Sequence, residues 1–224
     1  MNDRVQNCWL CAQRECCDMA GLLRDAGSEA SAQVVVVDYP AGSELELAPR
    51  QVRALRSGAV KVLWPQSGQR ARVLDFCYPG RLLGVASSLG VDDACRYVTL
   101  RWSRICVLPE AHAVPATALA ARVAASIMPI YGRTRLMQAG AGERVADYLV
   151  RAFEGQRDLD GDALPARTLP AVSRNDIADY AGLRGESVSR ALAQFRAAGW
   201  IRGKVDSLEI LDLEALRGFV AAAA

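Results

Sequence analysis

The stretch SRNDIADYAGLRGESVSRALAQFRAAGWI, residues 173–201, reads as two short helices joined by a tight turn. Ser173 stands three residues ahead of Asp176, a variant of the capping box that starts a helix. Ile177, Tyr180 and Ala181 supply an inward face, Gly182 permits the turn, and Leu183 fills the junction. In the second helix Val188, Leu192 and Phe195 fall at i, i+4 and i+7 and are expected to bury. Glu186, Ser189 and Arg190 fall on the opposite face near the helix start, where a recognition helix presents base-reading side chains to double-stranded DNA. Arginine donates in bidentate fashion to guanine, and glutamate accepts from cytosine N4. A Glu–Arg pair at i, i+4 suits a plain solvated face equally well; the paired short helices, the glycine turn and the strands that follow favour DNA. Those strands, 200–203 and 208–211 within GWIRGKVDSLEILDLEAL, read as a wing with Arg202 and Lys204 free to meet phosphates.

Working outward, the pattern changes period twice. Residues 28–113 read as short strands, VVVV (34–37), AVKVLW (59–64), ARVLDF (71–76), YVTLRW (97–102) and RICVLP (104–109), separated by turns at 39–42, 66–68 and 78–80. Such spacing predicts a small β-barrel or jelly roll. Residues 114–140 take a helical period, with Leu119, Val123, Ile127 and Ile130 in phase and Pro129 as a kink. The Gly140-Ala-Gly142 break opens a last unit, 141–224. It holds a helix with Val145, Leu149 and Ala152 on one face, a polar loop at 155–168, and the winged motif. Residues 1–27 form a separate cysteine-bearing segment. The expected class is α+β: a β-roll sensor, a long helix, and a C-terminal winged helix-turn-helix.

The composition sets limits. At 224 residues with 51% hydrophobic content the chain can bury two modest cores. No uncharged apolar run approaches a membrane span, and no signal peptide is read at the start, so a cytoplasmic protein without membrane contact is expected. The net charge of +2 says nothing about nucleic acid. The interval 184–204, however, carries Arg184, Arg190, Arg196, Arg202 and Lys204 against a lone acid, Glu186, and a local basic stripe is what phosphate contact requires. A single histidine, His112, leaves little for acid–base catalysis, and no nucleotide loop or nucleophile–base set is found, so no enzyme is expected. His112 reads as a surface loop residue, Trp9 and Trp64 as packing groups, and Cys77 and Cys95 as small buried residues. The run DLDGD (158–162) reads as a solvated linker.

The triplet Arg174-Asn-Asp176 with Ile177 and Leu183, followed by Glu186-x-x-Ser189-Arg190 and Phe195, resembles the DNA-binding domain of the CRP/FNR family, and its FNR branch rather than the cyclic-AMP receptors. In the β-rich part SGAVKV (57–62) and YPGRLLG (78–84) are similar to recurring strands and turns of the same family. The likeness runs from about 31 to 216. It implies half-sites of the TTGAT type in an inverted repeat, a homodimer packed through the 114–140 helix, and contact with RNA polymerase. Arg184 and Gly185 stand where the family often has a threonine cap; Arg184 then becomes a candidate phosphate contact with Arg174, Arg202 and Lys204. No cyclic nucleotide is expected: Val85 follows Gly84 where such receptors carry glutamate, and no Arg-Ser or Arg-Thr pair occurs from 86 to 99.

Seven cysteines, four of them between residues 8 and 17, fit a disulfide framework poorly. Cys8-x2-Cys11-x5-Cys17 with Cys106 in RICVLP resembles the ligand set of the family's iron–sulfur sensors, and implies a [4Fe–4S] cluster. Cys16 is an alternative third ligand. A zinc ribbon would close with a second Cys-x2-Cys, which the chain lacks. The resemblance implies sensing of oxygen, redox state or nitric oxide. The alternatives are a cluster-free member with a thiol switch or another ligand such as haem, and an iron–sulfur electron-transfer protein.

Overall fold

A computed structural model describes residues 4–27, 33–49, 51–88, 94–108, 114–115, 117–122, 124, 137–156 and 168–222. The chain is α+β. Two antiparallel sheets face each other: one runs β1 (Arg4–Asn7), β2 (Gln33–Tyr39), β9 (Ser103–Val107), β4 (Arg53–Ser57), β7 (Leu82–Leu83). The other runs β3 (Glu44–Leu45), β8 (Arg96–Thr99), β5 (Val60–Gln66), β6 (Gln69–Cys77). Leu55, Leu83 and Ile105 from the first sheet meet Leu45, Val60, Val62 and Tyr97 from the second to fill the roll. Alternate residues of the first sheet, Val34, Val36, Ala54 and Cys106, point out of the roll instead, as the period of two dictates. They are covered by α1 (Asp18–Asp25) and by the helical residues 117–122, and a single helical turn, α2 (Val85–Ser88), follows β7.

α1 buries Met19, Leu22 and Leu23, an i, i+3, i+4 face within the cysteine-bearing segment, where the sequence predicts no element. A Cβ at Gly21 would lie 2.5 Å from the Arg122 guanidinium. Arg122 crosses α1 at this glycine and pairs with Asp25 at 2.7 Å. The N-terminal segment is also a strand: β1 extends the sheet antiparallel to β2, with Asn7 opposite Gln33.

The expected strands form with shifted ends. The 97–102 run leaves the ladder after Thr99; Leu100 donates to Ala59 O instead, and Trp102 stands exposed. Trp64, read as a packing residue, is 48% exposed because it lies on the free face of the β5–β6 hairpin. Trp9, Cys77 and Cys95 are partly buried against the cores. Within 114–140, residues 117–122 are helical, with Leu119 buried, and the chain turns at 137–139. Val123, Ile127, Pro129 and Ile130 lie outside the described residues, as do His112 and the 158–162 run.

The C-terminal unit comprises α3 (Ala141–Glu154), α4 (Arg174–Ala181), α5 (Gly185–Ala197), β10 (Ile201–Arg202), β11 (Glu209–Ile210) and α6 (Leu213–Ala221). Its core, built on Val145, Leu149, Ile177, Val188, Leu192 and Phe195, also takes in Val73 and Phe76 from β6. The β5–β6 hairpin of the roll is therefore packed directly on the helix-turn-helix. Phe76 meets Tyr148 and Tyr180 at 5.3 and 5.4 Å between ring centroids. Two charge pairs flank the rings: Lys61 with Asp176 at 3.4 Å and Arg70 with Asp179 at 2.7 Å. No helix among the described residues is long and apolar enough to cross a membrane.

Candidate functional site

The helix-turn-helix is set by local chemistry. The Ser173 hydroxyl accepts from Asp176 N at 3.0 Å while the Asp176 carboxylate accepts from Ser173 N at 3.1 Å, completing the capping box of α4. Gly182 ends the helix at φ +62, a left-handed conformation that favours glycine. Arg144, a residue the sequence reading did not single out, closes the turn: its guanidinium donates to Ala139 O, Ala181 O and Gly182 O. It satisfies carbonyls that a helix end leaves open. A cation two residues past a domain break was the only signal for it.

Recognition helix α5 begins at the N-cap residue Arg184, whose side chain makes no capping bond. Glu186 lies in its first turn, where the helix dipole favours an acid. Glu186 and Arg190 are exposed, and Arg190 lies 3.4 Å from the Ser187 hydroxyl. Ser189 is half-buried; its hydroxyl donates to Gly185 O at 2.9 Å and accepts from Arg174 at 3.1 Å. The serine thus positions the exposed Arg174 guanidinium beside the recognition helix. Arg174, Asn175, Glu186, Ser189 and Asp206 line one groove of about 650 Å³ that separates the helix starts from the wing.

The wing is the β10–β11 hairpin, with Ile201 opposite Ile210 and Arg202 opposite Glu209. Arg196 of α5 donates to Gly203 O at 2.9 Å and so ties the wing turn to the recognition helix. Lys204 is exposed at the tip. Arg202 is not free as expected. It pairs with Glu209 at 2.5 Å because their register sets them opposite each other. An exposed pair is worth about 0–1 kcal/mol, little enough for a phosphate to displace.

The second assembly lies on the outer face of the first sheet. None of the seven cysteines is in a disulfide. Cys8, Cys11, Cys17 and Cys106 line one small pocket with Arg56, Gln6 and Gln13, and Cys16 is not among its walls. The pairing of β1 with β2 brings Cys8 across, since Val36 of β2 stands opposite both Arg4 of β1 and Cys106 of β9. A short 3-10 turn over Cys8–Leu10 brings Cys11 back, with Cys11 N donating to Cys8 O. Buried Gln13 pins the loop by donating to Arg56 O at 2.6 Å. Cys17 is the N-cap of α1, while Cys16 faces solvent with its thiol 3.4 Å from Gln13 O.

Burial pushes the thiols of Cys8 and Cys106 up to about 12 and raises that of Cys17. Opposing this, the Arg56 guanidinium favours the thiolates of Cys8 and Cys106, and the Ala20 and Met19 N–H groups at the start of α1 favour that of Cys17. Four soft donors gathered with a cation and a helix N-terminus suit, in chemical type, an anionic tetrathiolate site. Among the described residues no three His, Cys, Asp or Glu side chains are drawn closely enough to hold one metal ion. A four-iron cube makes a different demand, because each corner takes its own thiolate. The enclosed cavity is about 20 Å³, room for a single water-sized sphere.

Residues 143–219 match the model of the Crp-like helix-turn-helix domain. The chain is 27% identical over 173 residues to the transcriptional activator FnrA of Stutzerimonas stutzeri, covering 72% of this chain and 69% of that one. Identity and coverage are the same for the activator Anr of Pseudomonas aeruginosa. Among solved structures, FixK2 of Bradyrhizobium japonicum superposes with a TM-score of 0.66 at 25% identity, over 85% of this chain and 99% of that one. A CRP/FNR-family regulator of Thermus thermophilus gives 0.68 at 20% identity, over 84% and 100%. With its β-roll, its capped helix pair and its wing, the chain is similar to transcription regulators of the CRP/FNR family, and residues 143–219 carry a Crp-like helix-turn-helix domain.

Proposed function

We propose that this regulator acts in the cytoplasm as a homodimer on an inverted repeat of TTGAT-type half-sites and responds to oxygen, redox state or nitric oxide through a [4Fe–4S] cluster. Glu186, Ser189 and Arg190 read bases; Arg174, Arg184, Arg202 and Lys204 meet phosphates; contact with RNA polymerase follows from the family. Cys8, Cys11, Cys17 and Cys106 would hold the cluster, which when bound supplies an oxidant-sensitive inorganic core. The observation that carries the reading is the convergence of four free cysteines from a turn, a helix cap and a distant strand on one pocket beside Arg56. Thiol protons leave on loading, helped at Cys17 by the α1 amides and at Cys8 and Cys106 by Arg56.

Purification without air tests it. A brown protein with about four irons per chain is expected. Cys17→Ser should abolish the iron, and Cys16→Ser should retain it. A colourless, iron-free protein whose operator affinity follows thiol oxidation would replace the cluster by a thiol switch, and a haem spectrum would replace it by haem. Redox turnover with a partner, together with a DNA footprint indifferent to cluster loss, would support electron transfer instead.

A further inference from the structure

The cysteine segment is held to the rest of the chain at a place that also touches the DNA-binding unit. Asp18, next to Cys17, donates its backbone N–H to Gly80 O at 2.7 Å, and its carboxylate accepts from Leu82 N at 3.4 Å and lies 3.6 Å from Arg81. Gly80 has φ +94, and a Cβ there would stand 2.8 Å from Cys16 O. The turn at 78–81 is therefore packed backbone to backbone against residues 16–18. It is itself fastened to β4, with Gly80 N donating to Leu55 O at 2.7 Å and Leu55 N to Arg81 O at 3.0 Å.

The same turn begins with Tyr78, which faces the other way. Its ring packs on the C-terminal core, close enough to the end of α3 that a Cβ at Gly155 would lie 2.5 Å from it. Two residues earlier, Phe76 meets Tyr148 of α3 and Tyr180 of α4. Close-packed interiors transmit displacement rather than absorb it. A chain of contacts thus runs from Cys17 through Asp18, Gly80 and Tyr78 to α3.

We propose that the turn at 78–81 is an intrasubunit link through which the state of the cysteine pocket sets the attitude of the helix-turn-helix, with Tyr78 as its positioning residue on the DNA-binding side. The link rests on the assignment of Cys17 to the sensing pocket. Cys17 adjoins Asp18, so a change of state at Cys17 bears on the contact of Asp18 with Gly80. Tyr78 then bears differently on Gly155. Only a difference in how the two attitudes hold the segment can drive the shift.

Amide hydrogen exchange on the full-length protein, purified without air and then treated with an iron chelator, tests this. In the wild type, chelation should change exchange in residues 151–155 and 174–181 by roughly tenfold. Tyr78→Phe keeps the ring and should respond alike. Tyr78→Ala should keep its iron and lose the response. If Tyr78→Ala does not fold, Asp18→Ala cuts the same link at its other end and should also lose it. An unchanged exchange in the wild type, or a full response in the variant that severs the link, overturns the proposal. Should the wild type carry no iron, the cluster assignment fails on its own. Alkylation of the pocket thiols then replaces chelation, with the same two outcomes for the link.

Discussion

Ser173 and Asp176 exchange two hydrogen bonds at the head of α4, and the Asp176 carboxylate meets Lys61 as well. Ser173→Ala removes one of these and should cost about 1 kcal/mol of stability, the usual value of an N-cap, read as a lower midpoint in chemical denaturation. Cys77 lies beside the interior of the roll, where burial pushes its thiol up to about 12. In the unfolded chain a thiol titrates at about 8.5. The folded form keeps a proton that the unfolded form has lost, so unfolding releases it and stability falls as the pH climbs between those values. Cys77→Ala should flatten that alkaline decline in a pH series of melts; an unaltered slope would assign the decline to other groups.

At the scale of elements, the proposed function assigns base reading to α5 and phosphate contact to the wing. Glu186→Ala or Arg190→Ala should cost about 1–3 kcal/mol of discrimination at one base-pair position, measured on operators altered there. Lys204→Ala should weaken all sequences alike and reduce the slope of log affinity against log salt by about 1. Identical losses on matched and mismatched operators for the α5 variants would mean that the reading face lies elsewhere. The elements α4 and α5 were legible because their signals are local: a cap within three residues, a left-handed glycine, and apolar residues one helical turn apart. α1 carries the same kind of signal in Met19, Leu22 and Leu23, but it is only two turns long, too short for its apolar face to repeat. β1 had no signal, being stable only because β2 offers an edge.

The whole molecule is joined through its aromatic seam. Phe76 belongs to the roll in sequence and to the helix-turn-helix in packing. Phe76→Ala should destabilise by about 3–5 kcal/mol and should also loosen the two units from each other. Calorimetry should then resolve two transitions where the wild type shows one; a single transition at lower temperature would place all of the loss within one unit. Lys61→Met and Arg70→Met remove the flanking cations at 22% and 57% side-chain exposure, respectively. Lys61→Met should do the greater damage, because it leaves the buried Asp176 carboxylate without its cation, held by the Ser173 N–H.

The helix pair, its turn, the wing and the alternating strands of the roll were written in neighbouring residues, since capping, glycine conformation and periodicity act over a few positions. Which cysteines share a pocket was decided elsewhere. Cys17 turns inward and Cys16 outward because α1 starts at Asp18 and is clamped to Gly80, a partner more than sixty positions away. Arg202 lost its freedom to cross-strand register, and Asp176 and Asp179 of α4 met cations from the roll 115 and 109 positions distant. Local chemistry shapes an element, whereas the partner of a charge or a thiol is chosen by how the finished surfaces close upon each other.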